Sequence, residues 1–158
     1  MKKIDIGQTA TILANVGVIV GIVFLAAEIR LNTRAIQAQT RDSIADKEMQ
    51  LYAWQASNPE LASVVRRAVF EGEESLDLDE RQVLFAYLEA FFREHENALY
   101  QYEHGLFSRQ EFEGRTRNMR LTLSSSAFLS HWESRRDLYS ESMQAEIGRL
   151  VEATRNSD

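Results

Sequence analysis

Cysteine is absent from these 158 residues, which removes disulfides, thiolate nucleophiles and Cys-ligated metals together. Proline occurs once and glycine seven times. No run alternates polar with apolar residues and no Asn-Gly dipeptide occurs, so strands and hairpins lack their usual signals. Also missing are a G-x-G-x-x-G or P-loop glycine run, a G-x-S-x-G elbow and an H-E-x-x-H pair. The common sequence marks of nucleotide binding, serine hydrolysis and zinc proteolysis therefore do not occur.

The most telling absence is of charge. Between Asp5 and Glu28 there is no Lys, Arg, Asp or Glu, which leaves an uncharged window of 22 residues at 6–27. A helix of that length reaches about 33 Å at roughly 1.5 Å per residue, close to the ~30 Å hydrocarbon core of a bilayer. From Ile12 to Ala27 only Asn15 interrupts apolar residues and glycine, and no polar stripe marks a water-facing side. Met1-Lys2-Lys3 resembles the basic start of a cleavable leader, yet Phe24-Leu25-Ala26-Ala27-Glu28 holds no A-x-A site and the apolar run exceeds a leader's usual length. As the centre of a soluble bundle, the window would have to be enclosed by later helices that must also cover one another. The sequence predicts a retained, membrane-spanning helix.

Within the window, Ala10, Ala14, Gly17 and Gly21 recur at separations of four, three and four, which places them on one helix face. Gly17 and Gly21 form a G-x-x-x-G, the spacing at which two membrane helices pack closely, and Asn15 is the residue expected to add an interhelical hydrogen bond. The partners this predicts are the lipid bilayer and either a second copy of the chain or a larger membrane complex. Arg30, Arg34, Arg41 and Lys47 follow the window, against Lys2 and Lys3 before it. Counting bases predicts a cytoplasmic C-terminal domain, with Arg30 and Arg34 at headgroup level, where basic side chains favour anionic lipid.

The rest of the chain is acidic: from residue 28 on, 16 bases face 23 acids, a net charge of −7. That argues against nucleic acid as a partner. No proline or glycine falls between Glu28 and Ala56, so a helical stalk is expected over 29–57, following a tail and span at 1–28 and preceding a bundle domain at 58–158. Asn58-Pro59 reads as a helix start and Glu71-Gly72 as its stop. Asp79 with Gln82 reads as a capping box opening a long helix that ends near Gly105, and Ser108 with Glu111 repeats the signature. The serines 124–126 break the next helix, and two short helical segments follow. The fold class is all-α: an N-terminal transmembrane helix continuing into a bundle of about five helices.

Chemistry-bearing residues crowd one stretch, "FFREHENALYQYEHG" at 91–105. A bundle metal site needs Glu-x-x-His pairs on two helices, whereas Phe92, Gln101 and Phe128 stand three residues before His95, His104 and His131. No metal and no cofactor is expected. His95 lies on the apolar stripe Leu84, Leu88, Phe91, His95, Leu99 and Tyr102, where a hydrogen-bonded core histidine is the simplest expectation, with Glu94 and Glu96 turned about 100° to either side. The alternative is a ligand sensor or enzyme with a pocket in the bundle around His95, Tyr100 and Tyr102.

The segments "FLAAEIRLNTRAIQAQT", "SNPELASVV", "LDLDERQVLFAYLEAFFREHENALYQYEHGLFSRQEFEG" and "HWESRRDLYSESM" together resemble an uncharacterised family of small bacterial proteins with a single N-terminal membrane span and a helical C-terminal domain. Lys2, Lys3 and the serine-rich turn before Trp132 depart from that pattern. The resemblance implies an anchor, a helical fold and a bacterial origin, and it assigns no catalytic residue; the expected location is the bacterial inner membrane. The expected role is a non-enzymatic accessory, scaffold or oligomerising subunit.

Overall fold

A computed structural model describes residues 6–155; Lys2 and Lys3, which enter the expected orientation, lie outside the described residues. Among the described residues there are six α-helices, two 3-10 turns and no strand. The helices are α1 (Ile6–Ser57), α2 (Pro59–Phe70), α3 (Leu78–Glu103), α4 (Arg109–Thr122), α5 (Ser126–Arg135) and α6 (Glu141–Arg155).

The helix boundaries follow local chemistry. The Asn58 side chain accepts hydrogen bonds from the Glu60 and Leu61 amides, both at 3.1 Å, and Pro59 occupies the first helical position, where its missing N–H costs nothing. Gly72 and Gly105 take φ of +91° and +70° beyond the ends of α2 and α3, a conformation only glycine enters freely. Ser108 caps α4 by accepting from the Glu111 amide at 3.3 Å.

One cap sits elsewhere than expected. The α3 capping box is formed by Asp77 and Glu80, not by Asp79 and Gln82: Asp77 accepts from the Glu80 amide at 2.9 Å and Glu80 accepts from the Asp77 amide at 3.0 Å. The acid-x-x-acid/amide pattern fits both registers. Tertiary contacts select the earlier one, because Leu76 is buried ahead of it and Glu80 also pairs with Arg67 of α2, which a Gln82 amide could not do as an ion pair.

The chain divides after Gln39 into two units. The first is the leading part of α1, where every described side chain over 10–39 is exposed. The second begins at Thr40 and so includes the last turns of α1, residues that the sequence assigns to a stalk. Thr40, Ile44, Glu48, Leu51 and Gln55, spaced four, four, three and four, are its buried or half-buried positions there. In this unit α2 packs on α3 and α5, α3 on α4 and α5, and α4 on α6. Phe92 of α3 is fully buried at the centre, with the rings of His131, Trp132 and Tyr139 at 5.6, 5.7 and 6.2 Å.

Candidate functional site

The leading part of α1 is long and apolar enough to cross a membrane, and none of its oily stretch is buried. Ile12, Leu13, Val16, Val18, Ile19, Val20, Ile22, Val23, Phe24 and Leu25 are all exposed, a continuous band of large apolar side chains on every side of the helix. At 3.6 residues per turn, Ala10, Ala14, Gly17 and Gly21 fall within about 60° of one another, and all four are exposed. A Cβ built on Gly17 or Gly21 would meet nothing within 4 Å, so the chain's own fold does not require glycine at either position. Asn15 stands about 100° round the helix from Ala14 and is exposed. Arg30 and Arg34 are exposed, one turn apart.

The second site is a buried polar cluster within the domain, between the last turns of α1 and helices α3 and α4. Arg115 of α4 is its hub: Nη1 donates to Glu48 Oε2 at 2.7 Å and Nη2 to Glu94 Oε2. Beside them, Tyr87 donates its hydroxyl to Gln55 Oε1 at 3.0 Å. A cavity of about 20 Å³ opens here, and Glu48, Tyr52, Tyr87, Glu94, His95, Arg115 and Asn118 contribute the polar part of its lining.

His95 is 3% exposed, as a core histidine should be, but its Nε2 has no hydrogen-bond partner within the protein. Glu94 Oε1 and Arg115 Nε are likewise buried without one. Burial, opposed by the Arg115 charge and reinforced by Glu48, pushes the Glu94 carboxyl up to about 6. Burial and the nearby Arg115 guanidinium push the His95 imidazole down to about 3, so at neutral pH this ring is uncharged. Glu94 and His95, adjacent in sequence and expected to point about 100° apart, both line the cavity.

The structure does not assemble the expected His95, Tyr100 and Tyr102 pocket. Tyr100 is 54% exposed and its ring lies 4.0 Å from that of His104, off the buried face. Tyr102 stacks on Phe112 at 4.6 Å, and His95 approaches the same Phe112 ring at 5.7 Å, so these two share a neighbour while the cavity itself takes Tyr52 and Tyr87. Sequence reasoning missed Glu48 and Arg115. The signal for Glu48 was present in its place between Ile44 and Leu51 on a helical stripe; Arg115 gave none.

A further polar network pins α3 to the connection between α5 and α6. Arg93 donates to Glu89 at 3.0 Å and to Glu96 at 2.8 Å, and sits 4.2 Å over the Tyr139 ring. Tyr139 donates to Glu89 at 3.2 Å, and the Ser140 amide to Glu96 at 2.7 Å. These bonds hold both carboxyls below their usual range even though burial acts to raise them. Among the described residues, no group of three or more His, Asp or Glu side chains is placed to hold a metal ion. No family model, no curated protein and no solved structure matches the chain.

Proposed function

We propose that this protein is a membrane-anchored, non-enzymatic accessory subunit: α1 spans a bacterial inner membrane through its uncharged window and carries a helical domain on the cytoplasmic side. The observation that supports this reading is the contrast along α1 itself, whose oily part is exposed on all sides while its last turns contribute Ile44 to a packed core. The span's small-residue face, Ala10, Ala14, Gly17 and Gly21, is the surface for a second copy of the chain or a larger membrane complex. Arg30 and Arg34 face anionic headgroups.

Two measurements test this. Membranes from cells making the full chain are washed with alkaline carbonate; the protein stays in the pellet, and release into the wash would defeat the anchor. Because the chain has no cysteine, Asp137→Cys, at a side chain 88% exposed, gives a single labelling site in the domain. A membrane-impermeant maleimide leaves it unlabelled in intact spheroplasts and labels it after lysis. Labelling before lysis reverses the orientation.

A further inference from the structure

Three polar atoms of one cluster are buried and unpartnered within the protein: Glu94 Oε1, His95 Nε2 and Arg115 Nε. Native interiors seldom leave such atoms unsatisfied. All three residues line the same cavity between α1, α3 and α4. His95 is 3% exposed, and the Glu94 and Arg115 side chains are 9% and 13% exposed.

We infer that this cavity is a binding site for one ordered water molecule, held by Glu94, His95 and Arg115, which completes the polar joint between the last turns of α1 and the rest of the domain. Size sets the first limit. A water needs roughly 10–15 Å³ of space for its centre, and the cavity offers about 20 Å³, enough for one water and too little for a metabolite. Charge sets the second. The Arg115 guanidinium in the wall disfavours a metal cation, and the Glu48 and Glu94 carboxyls disfavour an anion. Hydrogen-bond character sets the third. Arg115 Nε–H can only donate, the Glu94 carboxylate oxygen can only accept, and a neutral His95 Nε2 does one or the other according to tautomer. The occupant must therefore both donate and accept, as water does.

A direct bond between the side chains does not replace it. Glu94 and His95 both line the cavity, and neither Glu94 Oε1 nor His95 Nε2 has a hydrogen-bond partner within the protein, so no direct bond joins these atoms and a bridging molecule can.

The test is a crystal structure of the full chain grown from a lipid mesophase, at a resolution where ordered waters are visible, with nuclear Overhauser spectra of the full chain in detergent micelles. The expected result is one density peak within hydrogen-bond distance of Glu94 Oε1 and of at least one of His95 Nε2 and Arg115 Nε, together with a His95 ring-to-water cross-peak of the sign given by long-lived bound water. A cavity free of density with no such cross-peak, a Glu94–His95 bond that closes the space, or a peak with anomalous metal scattering would each overturn it.

Discussion

The two ends of α1 share one unbroken helical backbone and meet two different surroundings. Over 10–39 no described side chain is buried, and through Ala27 no side chain carries charge. Over 40–57 the buried or half-buried positions Thr40, Ile44, Glu48, Leu51 and Gln55 make a stripe at helical spacing. Helix propensity does not separate these regions. The distribution of polarity around the axis does: apolar on every side calls for an apolar solvent, whereas a stripe calls for one packed neighbour. That the stripe includes the polar residues Glu48 and Gln55 explains why the second region is anchored by ion pairing and hydrogen bonding, through Arg115 to Glu48 and Tyr87 to Gln55, as well as by apolar contact.

The strongest way to break this contrast is to charge the oily region. Val18→Arg combined with Ile22→Arg places two arginines one turn apart in mid-span, each worth about 2.5–3.5 kcal/mol against insertion, or about 5–7 kcal/mol together. The doubly substituted chain moves to the soluble or aggregated fraction after a carbonate wash. Its domain is untouched: Trp54 and Trp132 both lie beyond Thr40, so denaturant unfolding followed by tryptophan fluorescence keeps its midpoint. A variant still held by the membrane would mean that the window does not partition into lipid.

This contrast also shows which features the sequence makes legible. The long apolar helix, the all-α fold, the Asn58 and Ser108 caps and the glycine stops are local, written in residues close together in the chain, and each lies where the sequence places it. The α3 cap is legible only to within two residues, since two overlapping acidic patterns compete and Leu76 burial with Arg67 pairing decides between them. The polar cluster is the least legible. His95 stands out in the sequence, but its neighbours come from Glu48, 47 residues earlier, and Arg115, 20 residues later, and no pattern within one helix links them. Tyr100 illustrates the converse: nearness in sequence to His95 placed it in a pocket, and helical rotation puts it on the surface.

Removing the hub of that cluster tests the packed region next. Arg115→Met keeps the aliphatic bulk while leaving Glu94, whose side chain is 9% exposed, with no cationic partner. Breaking one side of a buried pair costs about 3–5 kcal/mol, so the domain's tryptophan-monitored unfolding midpoint drops while membrane retention is unchanged. Arg115→Met with Glu94→Leu removes both charges and recovers most of the loss. Equal instability in the single and double variants would show that the pair does not hold this region together.

The smallest effect is one of pH, and it acts on one region only, because no ionisable side chain lies between Asp5 and Glu28. The signs follow from which state binds the proton more tightly. His95 sits at about 3 in the fold, against an ordinary 6.5, so the unfolded chain takes up its proton first and stability is lost as pH falls below 6.5. Glu94 sits at about 6, against an ordinary 4.5, so the folded chain takes up its proton first and stability is gained as pH falls from 6 towards 4.5. At pH 5 the histidine costs about 2 kcal/mol and the carboxyl returns about 1 kcal/mol, leaving the domain about 1 kcal/mol less stable than at pH 7.5. His131, also held below its ordinary value by burial, adds to the loss. Glu94→Gln has no proton to take up over this range, so its loss between pH 7.5 and 5 is about 1 kcal/mol larger than that of the unsubstituted chain. Parallel pH dependences of urea unfolding in the two proteins would show that Glu94 is not held near neutrality in the fold, and that the last turns of α1 do not close over it as the geometry of Arg115 and Glu48 requires.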